Sequence, residues 1–223
     1  MSDFTVSMRI AKPDEVKAVR SEAVRYLGYK NIKPDSAVME LIDVCEKELL
    51  KAVSPRYCFA KTKIDIIGDE SVNIGFGEIH SRDLAKHLKD CHSVILMAAT
   101  LGLGVDRLIN KYSRIAPAKS VIIDALGSSA VEYWCDIAET ELTQNEKNHC
   151  SRFSAGYGDF PLGCQSDFVR CLDMQRKLGV TLSDSFLMTP SKTVTAVIGL
   201  GGISRTCENK CASCANENCI YRR

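Results

Sequence analysis

Four cysteines near the C-terminus have the spacing of a metal-binding set: Cys207-x3-Cys211-x2-Cys214-x4-Cys219, within 13 residues. Thiolates so close in sequence can share one tetrahedral zinc ion or one iron–sulfur cluster. Zinc would make the segment a structural clip, and a cluster would make it an electron relay. Arg205, Lys210, Arg222 and Arg223 outnumber Glu208 and Glu217 there, and nearby cations help keep thiolates deprotonated. Unliganded reduced thiols are the plainer alternative. Cys45, Cys58, Cys91, Cys135, Cys150 and Cys171 are scattered singly and read as core residues.

A second group is Arg152-Phe153-Ser154-Ala155-Gly156-Tyr157-Gly158-Asp159-Phe160-Pro161. Arg offers a fork of donors that matches a carboxylate. Gly lets backbone approach a ligand closely, and Tyr adds an aromatic face with a hydroxyl. Such a loop suits a polar, carboxylate-bearing ligand. A surface loop with a structural Arg has the same composition.

The elements that must position these groups follow from patterning. Pro13-Asp14-Glu15 opens a helix expected over 13–28. Asp35 and Ser36 cap a second, stopped by Pro55. Residues 56–67 read as a strand, 68–71 as a turn and 72–76 as its hairpin partner. Ser81 caps a helix to about residue 89. Residues 92–98 form an apolar strand, 105–112 return to helical spacing, and 116–146 make the longest helix. The segment 151–165 is an irregular loop, 168–178 a short helix, 186–191 a loop and 192–200 a strand. This order, without a βαβ rhythm, gives an α+β fold. Ile198-Gly199-Leu200-Gly201-Gly202 has neither the helix nor the acid that a dinucleotide site requires, and reads as the exit of the last strand. His80, His87, His92 and His149 lack metal-ligand spacing and read as structural or surface residues.

The bulk numbers exclude several classes. The chain has 223 residues, 45% hydrophobic and 26% charged, with a net charge of +1. It has the composition of a folded globular chain and lacks the basic excess of a nucleic-acid binder. Its longest apolar stretches, 94–99 and 194–200, fall far short of the roughly 20 residues of a membrane span. With no export signal at the N-terminus, a cytoplasmic location is expected, where clustered cysteines point to metal rather than disulfides.

Arg152-x-Ser154-x-Gly156-Tyr157-x-x-x-Pro161 resembles the signature loop of the activation domain of cobalamin-dependent methionine synthase. Ala99-Thr100-Leu101-Gly102 resembles the segment before that domain's central helix, and Ala130-Val131-Glu132-Tyr133 its long helix. Leu182-Ser183-Asp184-Ser185-Phe186-Leu187-Met188-Thr189-Pro190 is similar to its Leu-x-x-Ser-x-x-Met-x-Pro element. The resemblance implies an antiparallel sheet with flanking helices over 1–203, followed by a Cys-rich tail at 204–223. It implies that S-adenosylmethionine binds, with Arg152 on the methionine carboxylate and the backbone around Ser154 on the adenosyl part. Gly156 would shape the loop, Tyr157 would pack beside the donor, and Glu132 would face the ammonium.

The family's chemistry is reductive methylation of cob(II)alamin, with one electron from a redox protein and the methyl from the sulfonium. Within these 223 residues no homocysteine, folate or cobalamin-binding part is expected. The resemblance therefore implies that cobalamin sits on a separate partner, a methionine synthase or another corrinoid protein. An electron-donor protein is a further expected partner, and the tail is expected to hold an iron–sulfur cluster or, alternatively, zinc. Where the family has Pro-Ala-Cys after Gly-Tyr, this chain has Gly158-Asp159-Phe160. Two other readings compete: a non-catalytic module docking a corrinoid protein through a zinc-clipped tail, and a methyltransferase subunit for another small acceptor.

Overall fold

The computed structural model describes residues 5–29 and 32–201. From the N-terminus, β1 (Ser7–Ile10) leads through a 3₁₀ turn at Pro13–Glu15 to α1 (Arg20–Tyr26) and α2 (Ser36–Ala52). Strands β2 (Arg56–Lys63), β3 (Asp65–Ile67), β4 (Ser71–Asn73) and β5 (Glu78–His80) precede α3 (Arg82–Leu88). Next come β6 (Ser93–Thr100), α4 (Leu103–Ile115) and the long α5 (Pro117–Thr143). An irregular stretch then reaches α6 (Gln165–Cys171), α7 (Met174–Leu178), β7 (Thr181–Leu182), β8 (Met188–Thr189) and β9 (Thr193–Leu200).

The central sheet is antiparallel throughout, in the order β1-β2-β6-β9. All eight residues of β6 are buried. Alternate side chains of a strand face opposite ways, so an antiparallel strand buried at every position must be covered on both faces. Ile95, Met97 and Ala99 join Ala196, Ile198 and Leu200 beneath α1, α2, α4 and α5. Val94, Leu96 and Ala98 join Cys58, Ala60 and Val197 beneath the β3–β5 sheet, α3, α6 and α7. The architecture is therefore α+β, with an antiparallel sheet between two flanking layers.

Local signals set many boundaries. Asp35 accepts a bond from Val38 N at 2.8 Å and starts α2, and Ser81 Oγ accepts from Leu84 N at 3.1 Å to start α3. Elsewhere tertiary burial overrides periodicity. The helix expected over 13–28 is split, because Val16 and Ala18 are buried and Val16 and Val19 are extended. The strand expected over 56–67 breaks after Lys63: β2 belongs to the central sheet, and β3 forms the hairpin with β4. The helix expected over 168–178 is interrupted at Asp173, whose φ of 47° is left-handed. Within 186–191, Met188–Thr189 pairs with Thr181–Leu182. Cys91 and Cys171 are only half-buried, whereas Cys45, Cys58, Cys135 and Cys150 lie in the interior as expected.

Candidate functional site

Glu132, Asp136 and Glu139 stand at i, i+4 and i+7 on α5, so they share one helix face. The adjoining face, with Val131, Trp134, Cys135 and Ala138, is buried in the core against the central sheet. The acidic stripe thus faces away from the core, and Arg152 lies against it. Its NH1 donates to Glu139 Oε2 at 2.6 Å, and its NH2 donates to Asp136 Oδ1 at 2.7 Å and to Glu132 Oε2 at 3.5 Å. The Arg152 side chain is only 13% exposed, with Glu139 at 17%, Glu132 at 48% and Asp136 at 68%. Burial opposes the guanidinium's charge, but Cys135, Glu139 and Asp136 together outweigh it and raise its pKa. Three carboxylates against one guanidinium leave a negative excess.

The stretch before Arg152 is fixed by β9. Gly201 N donates to Asn148 O, Cys150 N to Gly199 O at 2.8 Å, and Phe153 and Val197 exchange bonds of 2.9 Å. These bonds cover one edge of the central sheet. The Phe153 ring sits between His87, at 5.1 Å, and Phe160, at 6.2 Å. His87 Nε2 donates to Ser151 O at 2.8 Å. Beyond Phe153 the chain turns sharply: Tyr157 N donates to Ser154 O at 3.1 Å, and Gly156 N to Phe160 O at 2.8 Å. Gly156 has φ +94°, a conformation that a side chain would strain.

Asp159 latches this loop to α3. Its carboxylate accepts from Ser81 Oγ at 2.5 Å, Arg82 N at 2.9 Å and Asp83 N at 3.1 Å. Burial opposes ionisation, but those bonds prevail and hold the carboxyl below its usual range. At Gly158, φ is +54° and a Cβ would lie 2.1 Å from Asp83 Oδ2, so a side chain there would strain the backbone and push Asp83 aside. The Gly158-Asp159-Phe160 departure from the family pattern is thus an anchoring device: Asp159 caps α3, and Phe160 is 1% exposed.

The latch makes a testable case. Asp159→Asn removes the charge and half the acceptors, with an expected stability loss of about 1 kcal/mol, typical of a cap. A carboxylate with a lowered pKa stabilises the fold above its unfolded value, near 3.9. It loses that contribution as the pH falls through the folded value. Thermal unfolding from pH 7 to 3 should show a shallower acid decline in Asp159→Asn than in the parent.

Of the residues expected at the site, Glu132, Arg152 and Tyr157 come together. Tyr157 is 60% exposed; partial burial of its ring and then the charge of Glu132 push its phenol pKa up. Ser154 and Gly156 build the turn that carries Tyr157. Arg152 is engaged by protein carboxylates rather than directed to open space. Asp136, Glu139 and Asp159 were missed by sequence reasoning, although the first two were visible as an i, i+4, i+7 acidic set with Glu132. The four tail cysteines, Cys207, Cys211, Cys214 and Cys219, and the expected boundary at 203/204 lie outside the described residues. Among the described residues, no group of three or more His, Cys, Asp or Glu is placed to hold a metal ion. Nor is any helix there long and apolar enough to cross a membrane.

No family model matches the sequence, and no curated protein does. Among solved structures, the fold is similar to that of the MetH reactivation domain crystallised with AdoHcy. The TM-score is 0.62 at 14% identity, covering 91% of this chain and 80% of that one. The fold implied by the loop resemblance is the fold found.

Proposed function

We propose that the chain binds S-adenosylmethionine where α5 meets the 151–160 loop. It would present the methyl group to a corrinoid on a separate protein, a cobalamin-dependent methionine synthase or a related methyltransferase. The convergence of Arg152, the α5 acids and Tyr157 carries this reading. The solved domain of similar fold, which holds AdoHcy, supports it. The ligand has a carboxylate, an ammonium and a sulfonium. Arg152 complements the first, the surplus acids the other two, and Tyr157 supplies an aromatic face. For the ligand carboxylate to reach Arg152, one protein acid must give way. Asp136 is the most exposed of the three, so it returns to water at the lowest cost.

In the reaction, the sulfonium–methyl bond breaks and a cobalt–carbon bond forms on the partner's corrinoid. One electron reduces cob(II)alamin on the way, and S-adenosylhomocysteine remains. This chain's residues bind and orient the donor. The tail's four thiols form a donor set that fits an iron–sulfur cluster or zinc. The cluster would supply an electron path, zinc a clip.

Calorimetric titration of S-adenosylmethionine into anaerobically purified protein tests the core of the reading. Saturable one-site binding is expected, and no heat at millimolar ligand would overturn it. Iron, sulfide and zinc analysis tests the tail, and Cys211→Ser should lose the metal while keeping ligand affinity. One observation favours the alternative, a non-catalytic docking module: Arg152 already has protein acids as partners, as a purely structural contact requires. In that case the titration is silent while the protein still binds a corrinoid protein.

A further inference from the structure

Cys91 and Cys150 are 59 residues apart in sequence, yet their sulfurs lie 3.7 Å apart. Both are thiols rather than a disulfide. Cys91 follows α3 and is half-buried, so a reagent in solution reaches it first; Cys150, 2% exposed, lies behind it. The backbone holds the two in place. Cys91 N donates to Leu88 O at 2.9 Å, and Cys150 N donates to Gly199 O. Gly199 makes the room: a Cβ there would lie 2.5 Å from Cys91 Sγ and 3.5 Å from Cys150 Cβ. Each sulfur also has a carbonyl acceptor, His87 O for Cys150 at 3.3 Å and Gly201 O for Cys91 at 3.7 Å. A disulfide bond is about 2.05 Å long, so closure draws the sulfurs together by under 2 Å. The other buried thiols have no such neighbour among the described residues: burial pushes the Cys45, Cys58 and Cys135 thiols up, and none of them faces a second sulfur.

We propose that Cys91 and Cys150 form a reversible dithiol–disulfide site, closed by exchange with low-molecular-weight disulfides. The Cys91 thiolate attacks one sulfur of the small disulfide, breaking its S–S bond and releasing one thiol. Cys150 then attacks the Cys91 sulfur of the mixed disulfide, releasing the second thiol. The protein loses two electrons and two protons, and both end on the two small thiols. Cys150 is two residues from Arg152, and closure takes its sulfur from the carbonyl of His87, the residue whose ring holds Ser151 O and packs on Phe153. The state of the pair is therefore passed to the backbone that carries the guanidinium.

The test needs no assumption about the ligand. The full chain is incubated anaerobically with glutathione disulfide, remaining thiols are alkylated, and peptides are mapped by mass spectrometry. The expected result is a cross-link joining Cys91 to Cys150, with the loss of two hydrogens, reversed by dithiothreitol. Hydrogen exchange at residues 150–153 should differ between the two forms. Cys91→Ser, at the half-buried position, should fold and leave Cys150 without a cross-link. Glutathione retained on Cys91, Cys150 cross-linked instead to a tail cysteine, or exchange at 150–153 that closure leaves unchanged would overturn the proposal. A silent S-adenosylmethionine titration would count against the ligand reading alone.

Discussion

Replacing Arg152 by alanine should destabilise the protein by about 2–3 kcal/mol and weaken S-adenosylmethionine binding at least tenfold. The stability loss follows from what is left behind. Removing one partner of a buried pair strands the other charge, and a full strand costs about 3–5 kcal/mol. Here only Glu139, 17% exposed, is nearly buried; Glu132 and Asp136 return to water, so the lower figure holds. The affinity loss is that of a hydrogen bond between charged groups, about 1.5–3 kcal/mol. Arg152→Lys keeps the charge but not the planar fork that reaches two acids from NH1 and NH2. It should recover part of the stability and little of the affinity. Urea unfolding followed by circular dichroism reads the first effect, and calorimetry without denaturant reads the second. Unchanged affinity in a folded Arg152→Ala protein would remove Arg152 from the ligand site.

The sequence made the fold legible where local and tertiary demands agree. Asp35 and Ser81 cap helices because their side chains do so in almost any context. The apolar run into Thr100 is a strand because it is covered on both faces. Legibility failed where burial decided against periodicity: Val16 and Val19 have helical spacing, but both are extended, and Val16 and Ala18 are buried in the core. The site divides the same way. Residue type and loop motif singled out Arg152 and Tyr157 as candidates, but not that Arg152 would be held by Asp136 and Glu139 of α5. The role of Asp159 was not readable either, since its partners Ser81, Arg82 and Asp83 are more than 70 residues away. Likewise Cys91 and Cys150 looked like separate core residues because only the pairing of β6 with β9, and of β9 with 148–153, brings their sulfurs together.

Trp134→Ala should have the largest effect of any single truncation, about 3–5 kcal/mol. The indole is 0% exposed beneath α5. Its Nε1 donates to Arg56 O at 3.1 Å, Tyr57 lies 5.6 Å from it, and the Arg9 guanidinium sits 5.4 Å above the ring. Alanine leaves a cavity between α5 and β2, strips the Arg56 carbonyl of its donor and removes the ring under a cation. Trp134→Phe refills most of the volume but not the hydrogen bond, so its loss should be smaller, about 1–3 kcal/mol. Because this is the single Trp, unfolding is best followed by circular dichroism. The consequence reaches the candidate site, since Trp134 is fixed on the same helix turns as Glu132 and Asp136. A loosened α5 moves the acids that Arg152 must meet within hydrogen-bond distance. In the folded fraction, Trp134→Ala should therefore bind S-adenosylmethionine more weakly than Trp134→Phe. Equal affinity in the two variants would show that α5 holds its acidic face without the indole.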